Sequence, residues 1–186
     1  MVYGHNMRDS SMFGSMKNIL NSDWYENEKN TDITLYTENE KMIGKSGLGK
    51  AIKHQMKALS YAGVPYTTNP SDDYDILHIN TYFPKSYRLA KKAKKRGKKI
   101  VYHAHSTEED YKNGFILANN FASLYKKWLV YLYNTADVII TPTPYSKRLL
   151  KGYKGLTDKK IVDVSNGIEL DFFKEDKHLK NEFRKK

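Results

Sequence analysis

Two histidines and the hydroxyl side chains beside them are the residues of this sequence best suited to chemistry. His103 and His105 end the apolar segment Ile100-Val-Tyr-His-Ala-His105, and Ser106 and Thr107 follow them directly. Side chains two residues apart in a β-strand point to the same face, so both imidazoles share one face of the strand that we predict here. Imidazoles and hydroxyls at the exit of a strand suit the binding of a sugar or of another hydroxyl-bearing molecule.

Three acidic residues, Glu108, Glu109 and Asp110, come next and leave a metal site open as an alternative. Histidine and carboxylate side chains are ligands that zinc uses in proteins. However, acids at the start of a helix complement the N-terminal end of its dipole and cap its N–H groups. The acids therefore have a structural explanation, and we expect no metal site.

A glycine-containing turn, Ser46-Gly-Leu-Gly49, precedes a segment of helical periodicity. Glycines here either let an anion approach the backbone at a helix N-terminus or only permit a tight turn, and the motif alone fits both. It does not fit the dinucleotide-binding fingerprint, because Ile52 occupies the third glycine position and no acid ends the next strand at Thr68. The turn at Asn166 and Gly167, after the last predicted strand, has the same two interpretations, ligand contact or turn chemistry.

Short apolar segments alternate with helical segments along the chain from Thr31. The predicted strands cover residues 32–36, 66–68, 74–80, 99–105, 137–141 and 160–165. Buried strands joined by crossover helices indicate an α/β fold with a doubly wound, mostly parallel sheet. Ligands of such sheets bind outside the carboxyl ends of the strands, where the motifs above fall. His78, inside the third strand, is expected to be a hydrogen-bonded core histidine.

Composition and charge limit the class of protein. The chain has 186 residues, and it contains no apolar stretch near the ~18 residues that a membrane-spanning helix needs. It has no cysteine, which excludes disulfides and suits a cytoplasmic protein. The formal charge of +11 is concentrated in one basic segment formed by Lys91, Lys92, Lys94, Lys95, Arg96, Lys98 and Lys99. Such a segment attracts anionic membranes, nucleic acids or phosphorylated ligands. We expect a membrane rather than nucleic acid, because no aromatic residues interleave with the basic run.

A second feature that suits a lipid surface lies between Phe121 and Tyr133. Its apolar residues form a helical stripe beside Lys126 and Lys127. Amphipathic helices of this kind bind bilayer interfaces, but a helix of a doubly wound fold must also pack an apolar face on the sheet. We expect core packing for the stripe, and we assign contact with an acceptor or a membrane to Phe115, in the preceding loop.

Five motifs taken together resemble the N-terminal domain of family 4 glycosyltransferases, which are retaining enzymes of the GT-B fold. They are KSGLG (45–49), DILHINTYFPKS (75–86), VYHAHSTEEDYKNGF (101–115), ADVIITPTPYSKRLL (136–150) and VSNGIELDFF (164–173), in the order and approximate spacing of the family. Within the family, the sequence is similar to bacterial 1,2-diacylglycerol 3-glucosyltransferases, which make membrane glycolipids.

The resemblance implies transfer of a hexose, such as glucose, from a nucleotide sugar to a membrane lipid acceptor, with retention and without a cofactor or a metal. UDP-glucose or a similar nucleotide sugar would be the donor substrate. The implied site residues are His105 as the catalytic residue beside the transferred sugar, Gly47, Gly49, Asn166 and Gly167 at the donor diphosphate, and Ser106, Thr107, His103 and Phe115 at the acceptor pocket. The enzyme would be cytoplasmic and peripheral to the inner face of the plasma membrane, where the basic segment would contact anionic lipid.

The resemblance also implies a domain organisation. Residues 1–30 would be a poorly structured extension, 31–173 the acceptor-side Rossmann-like domain, and 174–186 the start of a linker to a C-terminal donor-binding domain. Because that domain supplies the basic residue and paired glutamates with which the family binds its nucleotide sugar, we expect this chain alone to be inactive. The alternative is a non-catalytic, truncated module that binds a membrane or a protein partner.

Overall fold

The structure, a computed structural model, describes residues 31–111 and 118–167. These residues form a six-stranded parallel sheet in the order β2-β1-β3-β4-β5-β6. The strands are β1 (Ile33–Tyr36), β2 (Tyr66–Thr67), β3 (Ile76–Ile79), β4 (Lys99–His103), β5 (Val138–Thr141) and β6 (Lys160–Asp163). The helices are α1 (Glu40–Ile43), α2 (Gly47–Tyr61), α3 (Pro84–Lys95), α4 (Glu108–Tyr111), α5 (Ala118–Tyr133) and α6 (Pro144–Lys151).

The direction in which the chain adds strands reverses once, at β1. From β1 the chain crosses to β2 on one side, and it then returns to β3 on the other side and continues to β6. Right-handed crossovers therefore place α2 on one face of the sheet and α3, α5 and α6 on the other. The loops that follow β1 and β3 leave the sheet on opposite faces, and this switch point is where doubly wound sheets bind ligands.

The two faces of the central strands differ in polarity. The face toward α3 and α5 is apolar, and its core includes Leu77, Ile79, Ile100, Tyr102, Ala90, Ala93, Leu129 and Leu132. The alternate residues His78, Asn80 and His103 point to the opposite face, because side chains alternate along a strand. That polar face contacts α2 through Gln55. The fold thus separates an apolar core from a polar cluster by the two-residue period of β3 and β4.

The expected α/β class, the parallel sheet and its six strands are confirmed. Several strands end earlier than predicted, as β4 shows. The Ala104 N–H still donates to the carbonyl of Ile140 (2.7 Å), whereas the His105 N–H donates back to the carbonyl of His103 (3.1 Å), so pairing stops there. Gly97 follows α3 with φ +75°, the left-handed conformation expected of a glycine that ends a helix.

Other expectations fall partly or wholly outside this structure. The proposed extension (1–30), Phe115 and the proposed linker (174–186) lie outside the described residues. Within the described ranges, no helix combines the length and the apolar character that crossing a bilayer requires.

The apolar stripe of α5 packs on the sheet only in part, which corrects the expectation of core packing. Leu129 and Leu132 are fully buried, but Phe121 is 53% exposed and Leu124 is 65% exposed. The physical reason is geometric: the apolar residues of α5 cover more of its circumference than one sheet can bury. Phe121 and Leu124 lie three residues apart, so they share a face that is directed to solvent.

Glu38, in the loop after β1, caps the N-terminus of α3. Phe83, at the N-cap position, makes no side-chain capping bond. Instead, Oε2 of Glu38 accepts hydrogen bonds from the backbone N–H of Ser86 (2.8 Å) and from its hydroxyl (3.1 Å). The Glu38 N–H donates in turn to Oγ1 of Thr81 (3.0 Å). A carboxylate in this place satisfies a first-turn N–H and complements the helix dipole, so Glu38 ties the end of β1 to the start of α3.

Replacing Glu38 by alanine is expected to lower the free energy of unfolding by about 1–3 kcal/mol, because the variant leaves a buried N–H without its acceptor. Urea unfolding followed by circular dichroism measures the change. Glu40→Ala, at an exposed position two residues further, is the matched control and is expected to stay within about 0.5 kcal/mol of the parent. Glu38→Gln keeps an acceptor oxygen and is expected to recover part of the loss. Equal stabilities of the two alanine variants would contradict the capping role.

Candidate active site

Three histidine rings stack at the carboxyl end of β3 and β4, on the polar face of the sheet. The rings of His103 and His105 are nearly parallel, with centroids 4.2 Å apart and an interplanar angle of 6°. The ring of His78 lies on the other side of His103, at 5.6 Å and 16°. His78 is therefore held by stacking, and its Nε2 is buried with no partner among the described residues, which differs from the hydrogen-bonded core histidine that we expected.

Two amide side chains connect His103 and His105 of this stack. The Nε2 group of Gln55, from α2, donates to Oδ1 of Asn80 (2.9 Å) and lies 2.9 Å from Nδ1 of His103. Oδ1 of Asn80 is also 3.0 Å from Nε2 of His105. Asn80 directly follows β3, so residues from α2, β3 and β4 meet in one hydrogen-bonded group. We call these five residues, His78, His103, His105, Asn80 and Gln55, the histidine–amide cluster.

The histidines of the cluster are uncharged at neutral pH. Burial lowers the pKa of His78 to about 4, and the neighbouring His105 adds to the effect. Burial likewise lowers the pKa of His105 to about 4. For His103, burial together with His105 and His78 holds the pKa well below its usual range. Burial acts in this direction because it penalises the charged imidazolium. The cluster therefore offers hydrogen bonds from neutral imidazoles rather than positive charge.

The glycine turn after α1 forms a tight start to α2. Ser46 is the N-cap: its hydroxyl accepts from the N–H of Gly49 (3.3 Å) and donates to the carbonyl of Ile43 (2.6 Å). A Cβ at Gly49 would lie only 2.6 Å from that same carbonyl oxygen, whereas a Cβ at Gly47 would meet nothing within 4 Å. Close packing therefore accounts for the glycine at position 49, while the backbone at Gly47 stays accessible at the N-terminus of a 15-residue helix. Such a terminus favours anions.

A pocket of about 360 Å³ connects this helix N-terminus with His105. Its walls are formed by Met42, Ile43, Ser46, Leu48, Tyr82, Phe83, His105 and Ser106. One end of the wall is polar, with the cap of α2 and an imidazole, and the rest is apolar and aromatic. This combination suits a ligand that carries both polar and apolar groups.

The structure brings some of the predicted acceptor residues to this pocket and leaves others away from it. Ser106 lines the pocket together with His105. Thr107 is only 2% exposed and His103 is 5% exposed, and neither is among the lining residues. His103 contacts the pocket indirectly, because its ring stacks on that of His105, which lines the pocket. Phe115 lies outside the described residues.

The turn at Asn166 and Gly167 packs against α2. The carbonyl oxygen of Gly167 lies 3.1 Å from Nδ1 of His54, near the middle of that helix. Gly167 has φ +74°, so the glycine meets a conformational need of the turn itself. Oδ1 of Asn166 is buried with no partner among the described residues, which leaves it an acceptor for a further hydrogen bond.

The acidic residues after His105 begin α4, and two of them pair with side chains of other elements. Oε2 of Glu108 pairs with Nζ of Lys126 (2.9 Å), and the hydroxyl of Tyr153 donates to Oε2 of Glu109 (2.7 Å). Lys126 also lies over the ring of Tyr153, 4.2 Å from its centroid. In the part of the chain that the structure describes, no group of three or more His, Cys, Asp or Glu side chains is arranged to hold a metal ion.

Comparison with known proteins shows the class of protein to which this fold belongs. Residues 56–172 match the Glycosyltransferase Family 4 sequence family. Because this match spans more than half of the chain, the chain belongs to glycosyltransferase family 4. The described domain is the Rossmann-like fold expected for one half of a GT-B enzyme.

The chain is similar in sequence to one known protein and in fold to another. The chain is 37% identical over 153 residues to the processive diacylglycerol alpha-glucosyltransferase of Acholeplasma laidlawii; the match covers 82% of this chain and 45% of the relative, so the chain spans less than half of that protein's length. The fold of the present chain is also similar to that of Anabaena Alr3699/HepE, whose crystal structure is a complex with UDP and glucose. That likeness has a TM-score of 0.53 at 14% identity, and covers 84% of this chain and 50% of the other. At this identity it supports the fold alone.

Sequence reasoning missed Gln55, Asn80 and Glu38, although two of them carry a signal. Asn80 directly follows a strand at the ligand edge, the position where site residues of such sheets lie. Gln55 is a polar residue within the otherwise apolar face of α2, between Ile52 and Leu59. A lone amide on a buried helix face calls for a hydrogen-bond partner in the core. Glu38 carries no such signal, because its partner Ser86 is 48 residues away.

The two glycines of the turn give a matched pair of variants. Gly49→Ala is expected to lower the free energy of unfolding by about 1–3 kcal/mol, because the new methyl group overlaps two backbone carbonyls. Gly47→Ala is expected to leave stability unchanged or slightly higher, since there is room for the methyl and alanine favours helices. Thermal unfolding of the two variants beside the parent chain measures the difference. A Gly49→Ala variant as stable as Gly47→Ala would refute the packing explanation.

Proposed function

We propose that this chain forms the acceptor-side half of a retaining hexosyltransferase that transfers glucose from UDP-glucose, or a similar nucleotide sugar, to a membrane lipid such as diacylglycerol. The observation that carries the proposal is the pocket that joins the N-terminus of α2 to His105. The name of the Acholeplasma relative supports transfer of glucose to a diacylglycerol acceptor, and the Anabaena protein, which is similar in fold, is a complex with UDP and glucose. In this proposal residues 31–173 are the acceptor-side domain, and a second, donor-binding domain grips the nucleotide without a metal or a cofactor.

The two polar groups of the pocket, the N-terminus of α2 and His105, have different roles in the proposed reaction. The donor diphosphate binds at the start of α2, where the N–H groups at Gly47 and Leu48 face an anion and the helix dipole favours negative charge. Asn166, in the turn beside α2, meets the donor through its side-chain amide: the nitrogen donates to a phosphate oxygen, whereas the buried oxygen can accept only from a hydroxyl. His105 orients the transferred sugar by hydrogen bonding. Because its imidazole is neutral, the charge on the departing diphosphate is balanced by the helix N-terminus and by the donor-binding domain rather than by His105.

The apolar part of the pocket receives the lipid acceptor. Tyr82 and Phe83 pack against each other with ring centroids 5.0 Å apart, and Met42 beside them is 67% exposed. Tyr82 also contacts Tyr125 of α5 edge-on, at 5.8 Å. Phe121, which is 53% exposed, lies four residues before Tyr125 and therefore shares its face of α5, so apolar side chains continue from the pocket along this helix. Ser106 lies where the acceptor hydroxyl approaches the sugar.

A membrane surface fits the flank formed by α3 and α5. Tyr87 of α3 stacks on the exposed Tyr131 of α5, with centroids 4.8 Å apart, and Lys91 lies over the ring of Tyr87. These residues border a second pocket of about 410 Å³, whose other walls are Lys94, Lys95, Asn134 and Thr135. Both helices run from the ligand edge of the sheet to its opposite edge. The basic end of this flank therefore lies far from His105, while the exposed Phe121 and Leu124 lie near the pocket.

Not every residue of the basic segment is equally disposed to lipid. Lys98 pairs with Asp73 (3.0 Å), and Lys94 donates to the carbonyl of Thr135, near the end of α5 (3.2 Å). These two lysines have a local structural role as well as a charge. Lys91, Lys92, Lys95, Arg96 and Lys99 are exposed and carry the proposed contact with anionic headgroups.

Glucosyl transfer is best tested in a fusion, because the chain spans less than half of its relative. All 186 residues are joined to the part of the Acholeplasma enzyme that follows the matched segment, and transfer of radiolabelled glucose from UDP-glucose to diacylglycerol is measured in mixed micelles. The fusion is expected to be active, His105→Ala to abolish transfer, and the 186-residue chain alone to show none. Thr157→Ala, at an exposed position before β6 that lines neither pocket, is the control and is expected to keep activity. A folded fusion that binds UDP but glucosylates no lipid would favour the non-catalytic alternative.

Membrane association is tested by sedimentation with vesicles. The chain is expected to bind vesicles that contain phosphatidylglycerol, to bind phosphatidylcholine vesicles poorly and to lose binding as salt rises. Replacing Lys91, Lys92 and Lys95 by glutamine is expected to weaken binding by about 3 kcal/mol, or roughly 100-fold, at about 1 kcal/mol for each charge. The charge-matched control replaces the exposed Lys53, Lys154 and Lys160 and is expected to have a smaller effect. Equal loss in both triple variants would show that net charge, not this flank, governs binding.

A further inference from the structure

The histidine–amide cluster restricts which nitrogen of each imidazole carries a proton. An amide nitrogen has two hydrogens and no free lone pair, so Nε2 of Gln55 donates in both of its contacts, to Oδ1 of Asn80 and to Nδ1 of His103. An amide oxygen can only accept. Because Oδ1 of Asn80 lies 3.0 Å from Nε2 of His105, the hydrogen of that bond must belong to His105.

We propose that Asn80 and Gln55 are positioning residues that hold His105 in its Nε2–H tautomer, so that Nδ1 remains as a hydrogen-bond acceptor for a ligand hydroxyl. The tautomer follows from the orientation of the two amides, with Nε2 of Gln55 toward His103 and Oδ1 of Asn80 toward His105, whereas its use in sugar transfer rests on the function proposed above. A neutral imidazole whose only N–H is committed to Asn80 accepts a hydrogen bond from a sugar or acceptor hydroxyl. It does not donate one to a phosphate oxygen.

Two observations support a positioning role over a purely structural one. Asn80 is almost completely buried, yet it uses its oxygen for two donors. Nδ2 of Asn80, Oε1 of Gln55 and Nε2 of His103 are buried and have no protein partner among the described residues. Buried polar atoms are normally satisfied, so a group used only to stabilise the core would be expected to pair more completely. The cluster instead uses its bonds to fix imidazoles at the wall of a pocket.

The stack restricts the ring as well as its proton. His103 lies nearly parallel to His105 and is itself fixed by Gln55 through Nδ1. Rotation of the His105 ring would break both the stacking contact and the bond to Asn80. One amide pair thus orients two imidazoles, and the outer one reaches the pocket.

The tautomer can be read directly from the nitrogen chemical shifts of the imidazoles. Long-range proton–nitrogen correlation spectra of the ¹⁵N-labelled 186-residue chain at pH 7 distinguish a ring nitrogen that carries hydrogen from one that does not. His105→Gln identifies the signals of His105 by their disappearance. We expect His105 to show a protonated Nε2 and an unprotonated Nδ1. A protonated Nδ1 in the parent chain would overturn the inference without any further variant.

Variants then test whether the amides impose this state. Asn80→Ala removes the acceptor and is expected to replace the single Nε2–H state by a mixture of both tautomers. Asn80→Asp keeps an acceptor oxygen and is expected to retain the Nε2–H form. Gln55→Leu provides a second route if Asn80→Ala fails to fold, and it is expected to shift the signals of both His103 and His105. Asn134→Ala, an exposed amide at the opposite edge of the sheet, is the matched control and is expected to leave them unchanged. Shifts of His105 that are identical in the parent, Asn80→Ala and Gln55→Leu would refute the positioning role.

The chemical-shift experiment and the transfer assay test the inference and the proposed function independently. A locked tautomer in a chain whose fusion transfers no sugar would leave the inference standing and reject the proposed function. An active fusion whose His105 populates both tautomers in the parent sequence would do the reverse.

Discussion

The register between β3 and β4 is the constraint on which the rest of this site depends. In this pairing Ile79 lies opposite Tyr102, so the next residues along, Asn80 and His103, are neighbours on the same face. A shift of one residue would turn the histidines into the core and the core residues outward, because side chains alternate along a strand. The apolar layer under α3 and α5 therefore fixes the register, and the register in turn brings the imidazoles of two strands within stacking distance.

The helix that covers the polar face must satisfy two requirements at once. The start of α2 has to pass close to the turn after α1, and Gly49 permits this approach. One and a half turns later, Gln55 has to reach the amide of Asn80 and the imidazole of His103. Both conditions are met only if the helix leaves the glycine turn at one angle. The turn therefore sets the position of Gln55 and, through it, the orientation of the imidazoles.

Much of the fold was predictable from the sequence because it depends on local periodicity. Short segments separated by helical ones predicted the six strands, and strand-end reasoning placed His105 at the ligand edge. The contacts of Glu38 with Ser86 and of Gln55 with Asn80 were not predictable, since they join residues 48 and 25 positions apart. Predicting such contacts requires the register of the sheet and the position of a helix on it, and neither can be derived from the local sequence around these residues. Phe121 and Leu124 were misjudged for a related reason: periodicity shows that a helix face is apolar, but not which apolar positions the sheet has room to bury.

Burial gives the histidines a chemical character that their position alone would not suggest. A histidine near a diphosphate is usually expected to contribute positive charge, yet these rings are packed face to face and shielded from water, so protonation of one disfavours protonation of the next. In the function proposed above, the N-terminus of α2 therefore binds the negative charge and the neutral imidazole binds hydroxyl groups. Because the dipole of a helix is fixed by its backbone, this division does not change with pH across the neutral range. The helix N-terminus does not determine the orientation of the His105 ring. The amides of Asn80 and Gln55, between β3 and α2, make the hydrogen bonds that can fix it.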